Sequence, residues 1–465
     1  MLLRNFFSFE NTIWAQIKDA TLHFNRFQRF SDQPVVARGP NGSPDEHRVA
    51  STNVIRTDDH FTMWYTGMRP PHANPWHQED RHSVCIAYSP DGINWDKPDL
   101  GLKKTSSGKA PNNTLNLSND FYNIGVLRES DGYVMKYEYP RGLKVDESQT
   151  TFTIFASDDG IHWHGRRKPC IQKQHFESQN SLFKVGKWYY VMGQGISPYF
   201  EIRGQRECGR VNFTYRTHDL KHWALVPGAS YAYPIIKHFP RSGLQTHCGA
   251  TVKDRGRIHL GFMGQFWPAG FSESVFSTFG LIYSYDGRKW TEPFIGEPLL
   301  LPDQNGWDCG MLMQGNGCYS RGAHTYYWYV GGNGGNLWTT ATSAGICRIR
   351  RDGFTYFKTE KHRRQATLNT CPITLNKHDT TLYINASASV ASPLRVRVKN
   401  VRTGQTLTSK VMKAGGVLQP VVGLNTLPHL PKQVCISFEL HNRAALYAFY
   451  LGPKLNKNQY LDRWQ

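Results

Sequence analysis

The stretch Tyr88-Ser89-Pro90-Asp91-Gly92-Ile93-Asn94-Trp95 decides the fold, because it recurs along the chain at a nearly fixed interval. It returns as Phe155-Ala156-Ser157-Asp158-Asp159-Gly160-Ile161-His162-Trp163 and, degraded, as Tyr215-Arg216-Thr217-His218-Asp219-Leu220-Lys221-His222-Trp223. A clear copy is Tyr283-Ser284-Tyr285-Asp286-Gly287-Arg288-Lys289-Trp290, and the fragment Asp352-Gly353-Phe354 closes the series. The aspartates at 91, 159, 219, 286 and 352 stand 68, 60, 67 and 66 residues apart. A period of this size means that one supersecondary unit is stacked several times.

Each copy reads as a hairpin: an alternating aromatic or β-branched run enters, Asp-Gly supplies the positive φ of a tight turn, and Trp leaves. A second hairpin precedes each copy, beginning at Asn53, Asn123, Ser181, Ala250 and Gly317. Two hairpins per repeat make four antiparallel strands, so the expected fold is all-β, a five-bladed β-propeller. The Asp-Gly-x-x-Trp residues read as scaffold, the turn and a packed indole, and not as the site.

Composition changes near residue 360. Before it come Trp, Tyr and Asp-Gly repeats; after it come shorter Val/Leu/Ile/Thr alternations such as Leu394-Arg395-Val396-Arg397-Val398-Lys399. The expected division is a propeller over residues 1–360 and a small β-sandwich over 361–465. No run of 18 apolar residues exists, which argues against a membrane span. Nine cysteines without CxxC pairing imply neither zinc nor a disulfide framework. Met1 to Trp14 lacks a signal-peptide core, so a cytoplasmic location is expected, or a secreted or periplasmic one if a leader has been trimmed. Fifty-five Lys and Arg against 36 Asp and Glu give +19, which favours anionic partners. The charges are scattered and no nucleic-acid-binding motif occurs, so a sulfated or carboxylated polysaccharide suits the charge better.

In a propeller the first strand of each blade lines a central funnel. Reading back from each hairpin gives one polar residue per blade: Asp45, Asp120, Glu177, His247 and Asp308. The register is uneven, since Asp120, Glu177 and His247 stand 3, 4 and 3 positions ahead of their hairpins whereas Asp45 and Asp308 stand 8 and 9 ahead. Glu46 is therefore an alternative to Asp45. Carboxylates crowded at one mouth raise each other's pKa values and divide acid from base, which is the equipment of glycoside cleavage. Asp45, Glu177 and Asp120 are the expected catalytic residues, and His247, Asp308, Trp64, Trp307 and Trp267 the expected sugar-binding ones. The loop from Met68 to Ser83, with His72, Trp76, His77, Arg81 and His82, is a candidate rim of the pocket; its histidines have no metal-ligand spacing, and neither a metal nor a cofactor is expected.

These residues resemble the five-bladed propeller glycoside hydrolases, glycoside hydrolase families 32 and 43 and their relatives. The likeness lies in the Ser-x-Asp-Gly-x-x-Trp hairpins, a first-blade Asp before Met63-Trp64-Tyr65 and a third-blade Glu before Tyr189-Tyr190, with a sandwich entered through Arg351-Asp352-Gly353-Phe354. The resemblance implies a nucleophile or general base at Asp45, a general acid at Glu177 and an acid-tuning residue at Asp120, with Asp308 as its competitor. The blade-one Trp-Met-Asn-Asp-Pro-Asn-Gly, blade-two Arg-Asp-Pro and blade-three Glu-Cys-Pro sequences of those families are absent. The expected activity is thus a glycosidase on an oligo- or polysaccharide. A non-catalytic carbohydrate-binding propeller and a phosphorylase on the same fold are the alternatives.

Overall fold

The computed structural model describes residues 3–57, 59–70, 82–103, 112–117, 123–138, 150–165, 170–172, 177–202, 205–233, 245–267, 276–335 and 340–464. Five antiparallel units follow one another. Blade 1 holds strands Arg48–Arg56, Phe61–Met68 and His82–Ser89, with Asp96 bridged to Tyr88 as its outer edge. Blade 2 holds Ile124–Glu129, Gly132–Glu138, Thr150–Ser157 and His164–Gly165. Blade 3 holds Glu177–Val185, Trp188–Ile202, Gln205–Thr217 and Ala224–Leu225. Blade 4 holds Gln245–Asp254, His259–Trp267 and Phe276–Ser284, with Thr291 bridged to Tyr283. Blade 5 holds Met311–Arg321, His324–Gly332 and Thr342–Arg350, and borrows its outer strand, Gln28–Arg29, from the N-terminal segment. The first strands of successive blades pack side by side, and the fifth returns to the first, so the ring is closed. Asn53 stitches three blades: its Oδ1 accepts from the Val126 amide at 3.0 Å and from Asn316 Nδ2 at 2.9 Å, and its Nδ2 donates to the Ile124 carbonyl at 3.2 Å. This is the all-β propeller architecture that the repeat implied.

The repeated phrase proves to be the seam between blades. Ser89 Oγ accepts from the Gly92 amide at 2.8 Å, and Asp91 Oδ1 accepts from the Ile93 and Asn94 amides, each at 2.8 Å. Burial would raise the Asp91 pKa, but those amide bonds outweigh it and hold the carboxyl below its usual range. The Gly92 carbonyl then receives two indoles, Trp95 of its own blade at 3.0 Å and Trp328 of blade 5 at 2.9 Å. The Gly160 carbonyl likewise receives Trp163 at 3.0 Å and Trp64 of blade 1 at 2.8 Å. Gly160 has φ 77°, and a Cβ there would lie 2.7 Å from Trp64 Cζ2, so backbone and packing both demand glycine. Gly160→Ala is expected to cost about 2–4 kcal/mol, from left-handed strain plus overpacking. Gly186, with φ 57° and nothing within 4 Å of a Cβ, should lose only about 1–2 kcal/mol as Ala. Urea unfolding of the two variants checks the difference.

The C-terminal unit is a sandwich of two six-stranded sheets around Leu368, Leu382, Val396, Phe438 and Phe449. The expected boundary at residue 360 needs correction at both ends. Arg4–Phe7 pairs with Ala445–Gly452, Trp14–Lys18 with Gln365–Thr370, and Ala20–Phe24 with Thr355–Thr359. The chain therefore starts in the sandwich, gives one strand to blade 5, and only then builds blade 1. These N-terminal strands have no Asp-Gly hairpin, so no repeat marks them. Buried Glu10 ties this segment to blade 4, accepting from the Phe7 amide at 2.8 Å and Tyr285 Oη at 2.9 Å and pairing with Arg257.

Candidate active site

Asp45 and Asp308 occupy one structural position in two blades. Arg48 and Met311 open their first strands, so each aspartate stands in the turn three residues ahead. Glu177 and His247 do not share that position, since they lie within their first strands, so the uneven register of the sequence remains for Asp45 and Asp308. Both first strands carry a β-bulge, between Ala50 and Asn53 and between Gln314 and Cys318, and the bulge hid the true strand start from the alternation pattern. Asp45 Oδ2 accepts from Tyr65 Oη at 2.8 Å and pairs with Lys97 Nζ at 2.6 Å, while Oδ1 accepts from Ser43 Oγ at 3.1 Å. Asp308 Oδ2 accepts from Tyr329 Oη at 2.8 Å and pairs with Arg29 Nη2 at 2.9 Å. Lys97 and Arg29 are themselves equivalent, each following the outer-edge residue of its blade. Burial, with Cys85 and Asp45 adding to it, pushes the Tyr65 hydroxyl far above its usual range and keeps it a donor.

Asp45 is 1% exposed and Asp308 0%. Both are clamps that lock the entry to a blade against its second strand and its outer edge. Trp64 is 1% exposed, and its indole donates to the Gly160 carbonyl. Trp307 is half-buried, stacks on Tyr329 with ring centroids 6.0 Å apart, and has an indole nitrogen without a hydrogen-bond partner.

Strand direction assigns the rest. In every blade the first strand begins, and the second ends, at the same end of the ring. Glu177 is the first residue of Glu177–Val185 and His247 the third of Gln245–Asp254, while Trp267 ends His259–Trp267. Their backbones therefore lie at that end; their side chains, together with Asp120 and residues 71–81, are outside the described residues.

A buried polar cluster at that end was not foreseen. Glu138 closes the second strand of blade 2, which packs against the strand that Glu177 opens. Glu138 is 4% exposed and Lys136, on the same face, 0%. Asn123 Nδ2 donates to Glu138 Oε2 at 3.1 Å and Lys136 Nζ to the Asn123 carbonyl at 3.4 Å. Ser51 Oγ, from blade 1, donates to Asn123 Oδ1 at 2.8 Å. Ser51 has φ 47°, a left-handed conformation costly for a side-chain-bearing residue and typical of sites whose geometry is imposed by neighbours. A carboxylate and an ammonium withdrawn from water beside the ring's inner strands are costly unless they are hydrogen-bonded, as these are. The signal was present in the sequence as Lys136-Tyr137-Glu138, two charges alternating along a strand that had to be interior.

Glu292 takes in blade 4 the place of Lys97 and Arg29. The Tyr of the clamp is replaced by Met263 in the same register, and Glu292 instead receives Tyr231 Oη, Tyr233 Oη at 3.5 Å, Gln265 Nε2 at 3.3 Å and the Gly296 amide at 3.2 Å. Burial raises its pKa to about 7, against these hydrogen bonds, because no cation is among its partners. The folded protein thus holds this proton more tightly than the unfolded chain. The associated stability is complete below pH 4.5 and is lost as pH rises through about 7. The wild type is expected to be on the order of 2–3 kcal/mol less stable at about pH 8 than at about pH 4 on this account, and Glu292→Gln to lose that component. Urea midpoints at the two pH values check it.

No protein-family description and no curated protein matches the chain. Among solved structures it is similar to a glycoside hydrolase, 16% identical over 70% of this chain and 92% of that one, with TM-score 0.45. It is similar to a glycosyl hydrolase from Bacteroides ovatus, 14% identical over 70% and 94%, TM-score 0.45. It is also similar to a β-1,2-mannobiose phosphorylase from Listeria innocua in complex with β-1,2-mannobiose, 11% identical over 71% and 97%, TM-score 0.44.

Proposed function

We propose that this chain is a glycosidase that cleaves an oligo- or polysaccharide with a carboxylate pair drawn from Glu138 and Glu177, where blades 2 and 3 meet. The observation that carries the reading is buried Glu138, networked to Asn123, Ser51 and Lys136 at the end of the ring where the strand of Glu177 begins. Cleavage needs one carboxylic acid to protonate the leaving oxygen and one carboxylate to attack the anomeric carbon or activate water. Glu177 is assigned the general acid. Glu138 is assigned the role of nucleophile or general base in place of Asp45, with Asp120 as the residue that tunes the pair. The net charge of +19 favours an anionic substrate. Incubation with a panel of neutral and sulfated polysaccharides tests the reading: release of reducing ends supports it, and a panel that is bound but never cleaved replaces it with a carbohydrate-binding propeller.

The net charge of +19 also suits a second reading, phosphorolysis, in which a basic residue near the acid holds the attacking phosphate. Strict dependence of cleavage on added phosphate, with sugar phosphate as product, distinguishes it.

A further inference from the structure

The junction between propeller and sandwich contains a second, separate polar site. Arg350 ends the third strand of blade 5 and reaches across to the sandwich. Its Nε donates to Asn385 Oδ1 at 2.7 Å, and its Nη2 to the carbonyls of Ala386 and Gly416, each at 3.0 Å. Its guanidinium lies 4.5 Å from the Tyr447 ring centroid. No carboxylate pairs with it among the described residues, and Nη1 has no hydrogen-bond partner there. The nearby carboxylate is committed elsewhere, since Asp352 faces Arg255 at 3.7 Å and accepts from Tyr450 Oη at 3.2 Å.

The consequence for charge is direct. The buried arginines that face carboxylates, Arg29 and Arg255, have their pKa values raised in spite of burial. Arg350, desolvated and opposed only weakly by Tyr447 and Tyr450, has its own lowered. It is a half-buried cation without a counter-charge.

Arg350 lines a pocket of about 400 Å³, within the roughly 300–1,000 Å³ usual for ligand sites. The walls are small: Ala323 from the propeller, Ser387, Gly415 and Gly416 from the sandwich, with Lys457 at the rim. No acidic residue lines it. Two cations, a hydroxyl and glycine backbone around an empty volume are the donor set of an oxyanion site.

We propose that this pocket binds the oxyanion of a sulfate-, carboxylate- or phosphate-bearing ligand, with Arg350 Nη1 and Lys457 as its charged donors. The pocket has room for a monosaccharide around the anion. The proposal stands whether or not the chain cleaves glycosides.

Isothermal titration at fixed ionic strength tests it, with sodium sulfate, glucuronate and galactose 6-sulfate as probes and glucose as the neutral control. The anions are expected to bind and glucose not. Lys457→Gln, at an exposed position that cannot disturb folding, should weaken anion binding about threefold to tenfold, and Arg350→Gln by about tenfold or more. Arg350→Lys, which keeps the charge and loses the fork, should fall between wild type and Arg350→Gln. Tighter binding of galactose 6-sulfate than of sulfate assigns the site to an anionic saccharide; equal affinity assigns it to the free ion. Absence of binding by all three anions, or binding unchanged in both Lys457→Gln and Arg350→Gln, overturns the proposal.

Discussion

Glu138→Gln is expected to lower turnover by about 10³-fold or more while the protein stays folded, because the amide keeps the hydrogen-bonding shape but can neither attack nor exchange a proton. Glu177→Gln should fall comparably. The pair should also behave as a unit, so the double variant is no worse than the poorer single one. A residue that only props up the wall would leave the pH profile unchanged; loss of one limb of the bell in each variant separates catalysis from support. Substrate affinity, measured by binding to the inactive variants, should change far less than kcat.

Asp45→Ala is expected to cost about 3–5 kcal/mol, the penalty for leaving a buried ammonium without its carboxylate. Lys97 is largely buried and also donates to the carbonyl of Ala37 at 2.6 Å, while Tyr65 Oη would lose an acceptor. Asp308→Ala should lose a similar amount through Arg29 and Tyr329. Lys97→Met combined with Asp45→Leu should recover part of the loss, because a clamp made of two charges is replaceable by apolar packing whereas half a clamp is not. A double-mutant cycle by urea unfolding reads the coupling between Asp45 and Lys97.

The architecture was legible because it is built from a repeat. Asp-Gly at 91, 159 and 286 makes turns that glycine closes at positive φ, a place that Leu220 takes in blade 3 with φ 58°, and a Trp that follows each turn had to be packed. The sequence could not show that Trp64 and Trp328 cross to the next blade, since that contact spans 96 and 236 residues. Nor could it show that residues 4–24 pair with a domain more than 330 positions away. At the site, the shared position of Asp45 and Asp308 was hidden by the bulges in their strands, and the contacts that hold them were not legible. Asp45 and Asp308 have the residue type of a nucleophile, and only the positions of Lys97, Arg29 and the two tyrosines reveal the clamps they form. Glu138 was readable in principle: in a strand facing the next blade, Lys136 and Glu138 share a face where Val134 alone is apolar.

Turnover per folded molecule in Glu138→Gln, Glu177→Gln and Asp45→Asn, assayed side by side on the polysaccharide that the wild type cleaves best and at a temperature where all are folded, tests the central claim most directly. The account predicts that the first two are inactive and that Asp45→Asn, though less stable, cleaves at close to the wild-type rate. An inactive but folded Asp45→Asn beside an active Glu138→Gln would contradict it.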